Sequence, residues 1–143
     1  MKKVFIDSDV ILDFLLDREP FIEEITQIIE LAIKREFDLC VASISITNLN
    51  YIIGRLENTR KASSKTKKIL KLVKVENVGQ STIDNAVKSS FKDFEDAVQN
   101  FCAIESGHRI IITRNVKDFK DSELAILTPK EFIVKIKEKD KHH

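Results

Sequence analysis

The stretch from Lys92 to Phe119, KDFEDAVQNFCAIESGHRIIITRNVKDF, leaves this chain few ways to fold. Apolar residues recur at Phe94, Ala97, Val98, Phe101 and Ile104, the three-and-four spacing of one buried helix face. Gly107 follows as a predicted C-cap, because glycine enters the left-handed conformation without a steric cost. Arg109 to Thr113 is then a short β-branched run, of the length and composition of a buried strand. This order puts Asp93 and Asp96 on the first turn of a helix and Asp118 just past the end of a strand. In open α/β folds, that edge outside the carboxyl ends of the strands is where ligands bind.

The start of the chain supplies the matching piece. Val4, Phe5 and Ile6 predict a strand, Asp7 stands at its carboxyl end, and a helix is expected to begin near Asp9. Two parallel strands would present Asp7 and Asp118 on one edge, with Asp93 and Asp96 beside them. Clustered carboxylates repel one another unless a cation sits among them, and hard oxygen donors suit Mg²⁺ or Mn²⁺. A plainer reading is also open: Asp9 and Asp93 as helix N-caps and the other acids as ordinary loop residues.

Between these ends, strands alternate with helices. The sequence predicts helices over Asp9 to Leu16 and Phe21 to Arg35 and a strand over Leu39 to Ala42. A helix capped by Ser45 or Thr47 follows, which Gly54 is expected to weaken. Val75 to Val78 and Ala125 to Leu127 read as strands and Ser81 to Ser89 as a helix. Thr128 and Pro129 open a last helix as N-cap and first residue. The alternation predicts a three-layer α/β/α sandwich around a mainly parallel sheet. At 143 residues, with three Gly and two Pro and no low-complexity run, one domain over residues 1–141 is expected. His142 and His143 are set aside as a possible tag remnant.

Composition narrows the function. Net charge is only +1, so any nucleic-acid surface must be local. The segment Arg60 to Lys74 is such a place: seven basic residues and no acid, with Lys61, Lys65 and Lys68 on one helical face. It reads either as a phosphate-binding ridge or as a solvated face. Cys40 and Cys102 lie in apolar surroundings with no C-x-x-C pair and no histidine nearby in sequence, which predicts buried thiols of a reduced, cytoplasmic protein and no zinc. Lys2 and Lys3 precede an apolar run, but Asp7, Asp9 and Asp13 interrupt it, so no secretory leader is expected. No apolar run approaches a membrane span. His108, the only internal histidine, is expected in a solvated loop, which leaves no Ser/His/Asp or Cys/His catalysis.

With VFIDSDVILD at the start, FEDAVQNFCAIESG, and IIITRNVKDF followed by LTPKEF, the chain resembles the PIN-domain family of metal-dependent ribonucleases, which includes VapC-type toxins of toxin–antitoxin pairs. The resemblance spans nearly the whole chain. It implies an acidic site for Mg²⁺ or Mn²⁺, hydrolysis of RNA phosphodiesters, an antitoxin partner and a homodimer. Asp7 matches the family's first acid and Asp96 the acid that opens the late helix. Two positions depart from the pattern: Asn48 stands where the family often has Glu, and Asn115 where it often has Asp. Asp118 and Asp93 are the candidates to compensate, with Asp9, Asn48 and Arg114 as further residues facing metal or substrate. Two alternatives accompany this reading. One is a PIN-like module that binds RNA or protein without cleaving it. The other is a haloacid dehalogenase-like phosphatase, which also begins with an apolar strand and D-x-D.

Overall fold

Five short strands form one sheet in the order β3-β2-β1-β4-β5, with every neighbouring pair parallel. They are β1 (Lys3–Ile6), β2 (Asp38–Ala42), β3 (Lys74–Glu76), β4 (Ile110–Ile112) and β5 (Ala125–Leu127). The computed structural model describes residues 3–141, so Lys2, His142 and His143 lie outside the described residues. Among the described residues six α-helices lie between strands, α1 (Ser8–Leu15), α2 (Ile22–Ile33), α3 (Ser43–Leu56), α4 (Thr59–Leu70), α5 (Gln80–Lys88) and α6 (Phe94–Glu105), and α7 (Pro129–Lys141) follows β5.

Parallel strands covered on both faces must be apolar on both, and here alternate residues divide cleanly between two cores. Val4, Ile6, Leu39, Val41, Ile110 and Ile112 point to one side, where they pack with α1 to α4 and with Phe132, Ile133 and Ile136 of α7. Phe5, Ala42 and Ile111 point to the other, against Cys102 and Ala103 of α6 and the buried Phe119. The three-layer sandwich expected from the sequence is therefore present.

The strand order places the functional edge. From β1 the chain steps outward through β2 to β3, then returns across the sheet to β4 on the opposite flank of β1. Crossovers between parallel strands are right-handed, so this reversal of direction moves α5 and α6 to the second face. A crevice opens where direction switches, at the carboxyl ends of β1 and β4. Asp7 directly follows β1, and Thr113 directly follows β4.

Several helix boundaries differ from the sequence expectation for local reasons. α1 begins at Ser8, because Asp7 itself is the N-cap and accepts from the Asp9 amide at 3.3 Å. Asp9 is thus not a cap. Neither Ser45 nor Thr47 caps α3: that helix starts at Ser43 straight out of β2, with Ala42 at the cap position. Gly54 does not interrupt α3, which continues to Leu56. Lys74 belongs to β3 rather than to the basic helix. Gly107 is left-handed (φ 78°), as its C-cap role requires.

At α7 the predicted start holds in detail. Thr128 Oγ1 accepts from the Glu131 amide at 3.1 Å, and Glu131 Oε1 accepts from the Thr128 amide at 2.9 Å, a reciprocal capping box. Thr128→Ala is expected to destabilise the protein by about 1 kcal/mol, lowering the melting temperature by about 3 °C. A thermal melt checks this; an unchanged value would mean that core packing alone holds the helix.

Candidate metal centre

Asp7 is the deepest acid of the crevice, with 2% of its surface exposed. Its amide donates to Ile112 O at 2.8 Å, which fixes it to β4. Its carboxylate is held from two sides: Thr113 Oγ1 donates to Oδ2 at 2.7 Å, and Gln99 Nε2 donates to Oδ1 at 3.1 Å. Gln99, fully buried on α6, also accepts from the Ser8 amide at 2.9 Å, so one amide side chain fastens the β1–α1 junction. Ser8 Oγ donates to Glu95 Oε1 at 2.8 Å beside it.

α6 brings the other acids. Asp93 is its N-cap and accepts from the Asp96 amide at 2.9 Å, so the plainer capping role holds for Asp93. The same residue lines the pocket, so capping and a position on the acidic edge coincide. Asp96 is half-buried, and Asp118 is exposed on a one-turn 3-10 helix (Val116–Phe119) whose Phe119 is pinned in the core. Together Asp7, Asp9, Asp93, Glu95, Asp96, Asp118 and Asp121 line one pocket, with Lys92, Lys117 and Lys120 at its rim.

The charges in this pocket raise one another's proton affinity. Burial, then the neighbouring Asp9 charge, pushes the Asp7 carboxyl up to about 6, against hydrogen bonds from Thr113, the Asp9 amide and Gln99. Asp96 is pushed up to about 8, first by burial and then by the charges of Asp7, Asp93, Asp118 and Asp9. A set of hard oxygen donors in which burial and then neighbouring charge raise two carboxyls, Asp7 and Asp96, fits a divalent cation. Asp7 and Asp96 are the acids of this pocket whose proton affinity is raised.

Other predicted residues fall elsewhere or take different parts. Asn115 Nδ2 reaches Asp9 Oδ2 at 3.5 Å, so it stands beside the acids without lining the pocket. Asn48 is half-buried on α3 and is not among the lining residues. Arg114 is committed to structure: Nε donates to Asp13 Oδ2 at 2.8 Å, and its guanidinium lies 4.6 Å from the centre of the Phe21 ring. Asp13, fully buried, also meets Arg18 at 3.6 Å, so the acid that interrupts the first apolar run is an internal anchor. On α4, Lys65 pairs with Glu57 at 2.7 Å and Lys68 lies 5.0 Å from the Phe14 ring. None of Lys61, Lys65 and Lys68 lines the acidic pocket.

His108 corrects its expectation outright. It is 4% exposed, sits edge-on to Phe5, and bonds through Nε2 to Glu76 at 2.9 Å. Sequence reasoning missed Gln99 and Thr113. Gln99 lies one helical turn after Asp96, and Thr113 occupies after β4 the place that Asp7 occupies after β1. Those spacings were the available signal.

Comparison with known proteins agrees with this fold. Ribonuclease VapC1 of Aquifex aeolicus (strain VF5) is 29% identical over 136 residues, spanning 92% of this chain and 93% of that protein. Among solved structures, VapBC2 from Rickettsia felis bound to a DNA fragment from their promoter superposes with a TM-score of 0.71 at 15% identity, over 88% of this chain and 98% of the matched one. DNA-bound VapBC from Salmonella typhimurium also gives a TM-score of 0.71 at 15% identity, over 90% and 99% of the two chains. At such identity the superpositions speak to the fold alone. Among the described residues, no helix is long and apolar enough to cross a membrane. The PIN domain family model matches residues 3–117, and with that match over most of its length the chain belongs to the PIN domain family.

Proposed function

We propose that this chain is a metal-dependent endoribonuclease that hydrolyses RNA phosphodiester bonds as the toxin of a toxin–antitoxin pair. It would work in the cytoplasm as a homodimer, with Mg²⁺ or Mn²⁺ at the acidic pocket. The observation that carries the reading is the convergence of Asp7, Asp93, Asp96 and Asp118, from separate chain segments, on one pocket at the switch point of a PIN fold. The Aquifex relative is named a ribonuclease, and the Rickettsia and Salmonella neighbours are VapBC structures, which supports an antitoxin as partner.

When bound, the cation supplies Lewis acidity and charge neutralisation at the scissile phosphate. The rest is work for the chain's own residues. Asp7, held in place by Thr113 and Gln99, would be one ligand of the cation. Asp96 would be another, and a bound cation would offset the burial and the neighbouring charges that raise its proton affinity. We assign Asp118 the acceptance of the attacking water's proton, and Asp93 and the Asn115 side-chain oxygen supplementary donor roles. Lys92, Lys117 and Lys120 hold flanking phosphates at the rim, with Lys61, Lys65 and Lys68 of α4 as a more distant contact surface.

The test is incubation of the purified protein with labelled RNA in Mg²⁺, Mn²⁺ or EDTA. Internal cleavage that needs the metal and spares DNA is expected. Cleavage persisting in EDTA would refute the metal requirement, and Mn²⁺ binding without cleavage of any RNA would leave a binding module.

The two lysine sets separate by salt dependence. Changing Lys92, Lys117 and Lys120 together to Gln is expected to flatten the log–log salt slope of RNA binding by about 0.7 per lost contact on single strands. The same change at Lys61, Lys65 and Lys68 is expected to flatten it less, because Lys65 is paired to Glu57 and Lys68 lies against Phe14. Equal slopes in wild type and the rim variant would remove the rim from the RNA path.

A further inference from the structure

The tightest group of metal-ligating side chains among the described residues lies outside the acidic pocket. Cys40 of β2, Glu76 at the end of β3 and His108 in the α6–β4 turn each offer a ligand atom, all within 4.8 Å of one another. We propose that these three residues form a second metal site, selective for a borderline-soft divalent ion of the Zn²⁺ class. It is independent of the ribonuclease reading and shares no residue with that pocket.

The donor set decides the metal. One thiolate, one imidazole and one carboxylate match zinc and its neighbours, whereas Mg²⁺ and Mn²⁺ prefer oxygen alone. The sheet supplies the geometry. Cys40 pairs with Phe5 of β1 and Lys74 of β3, and Ala42 pairs with Glu76, so sulfur and carboxylate leave adjacent strands on the α6 side. The turn after α6 then lowers His108 onto the same spot, edge-on to Phe5 at 5.5 Å between ring centres.

Without a metal these groups are poorly served. Cys40, 1% exposed, donates only to the carbonyl of Asp38 on its own strand at 3.8 Å. His108 Nδ1 is buried with no hydrogen-bond partner. Buried polar atoms are normally satisfied, so the partnerless Nδ1 leaves this histidine held by its Nε2 bond to Glu76 alone. Glu76 keeps 20% of its side chain exposed and lines a cleft with Lys3, Asn77 and Ser106, so one member of the cluster borders solvent. Coordination replaces the direct His108–Glu76 bond of 2.9 Å and ties the short edge strand β3 to β2 and to the start of β4.

The test uses Co²⁺ as a spectroscopic substitute, titrated into the full chain with excess Mg²⁺ present to fill the acidic pocket. One equivalent is expected to bind with a thiolate-to-cobalt charge-transfer band, displaced by Zn²⁺, and Zn²⁺ is expected to raise the melting temperature. Cys40→Ser, a near-isosteric change, should abolish the band. Glu76→Gln and His108→Gln should each weaken Co²⁺ by at least about tenfold, since even residues outside a ligand set cost that much. Melts of the metal-free variants show that each is folded. Absence of a thiolate band in the wild type would overturn the proposal. So would a band that survives Cys40→Ser and disappears in Cys102→Ser.

Discussion

Asp7→Asn and Asp96→Asn are each expected to lower metal-dependent RNA cleavage by about a thousandfold, corresponding to about 4 kcal/mol of lost transition-state stabilisation. A cation held by carboxylates supplies several kcal/mol at a developing phosphoryl charge, and either change removes a full charge from its closest ligands. The two variants should fail for the same reason but differ in structure. Asp7 is clamped by Thr113 and Gln99, and an Asn there must present its amide where one of those donors now points. Asp96 is half-buried and makes its recorded hydrogen bond through its backbone amide to Asp93, which Asn retains. The metal-free Asp96→Asn variant should be as stable as wild type or slightly more so, because it removes a charge from a self-repelling group, whereas in Asp7→Asn the unpaired buried donor offsets that gain. Cleavage assays, Mn²⁺ calorimetry and melts in EDTA test this together. Undiminished Mn²⁺ binding in both variants would remove the proposed site.

Much of this arrangement was legible because it rests on period and punctuation. The 3.6-residue spacing of α6, the left-handed Gly107 and the β-branched run after it fixed a helix feeding a buried strand, and Asp7 followed from an acid directly after an apolar run. What escaped reading depends on which faces meet. His108 looked like a loop residue because it follows glycine between two elements, yet parallel pairing of β2 and β3 brings Glu76 up to meet it. Arg114 looked available to substrate until the α1 face placed Asp13 opposite it. Asn48 illustrates a third difficulty: its helix begins earlier than its Ser and Thr suggest, because β2 passes into α3 without a side-chain cap. Each position advances a helix face by about 100°, slightly more than a right angle, so where the helix begins bears on which way Asn48 faces.

Asp7 and Asp96 are expected to cost the metal-free protein stability as pH rises from about 4 to about 8, and a divalent cation is expected to reverse that cost. Asp7 and Asp96 have native values of about 6 and about 8 against 3.8 for the free side chain. Below 3.8 both are protonated in native and unfolded chains alike, and the native state keeps its full advantage. As pH rises, the unfolded chain ionises first while the native chain retains its protons, so stability falls with pH. The fall ends near pH 6 for Asp7 and near pH 8 for Asp96. Asp96→Asn isolates the effect: variant and wild type should melt alike near pH 4, and the variant should be the more stable near pH 8. A cation that binds only the native state adds RT ln(1 + [L]/Kd), about 2.7 kcal/mol at a hundredfold excess over Kd. Because it must displace the same protons, that gain should grow from pH 5 to pH 8. Melting temperatures across this range, in EDTA and in Mg²⁺, for wild type and Asp96→Asn, give all four curves. Parallel pH profiles of the two proteins in EDTA would show that Asp96 does not feel its neighbours' charge. Equal stabilisation of both by Mg²⁺ would place the cation away from Asp96.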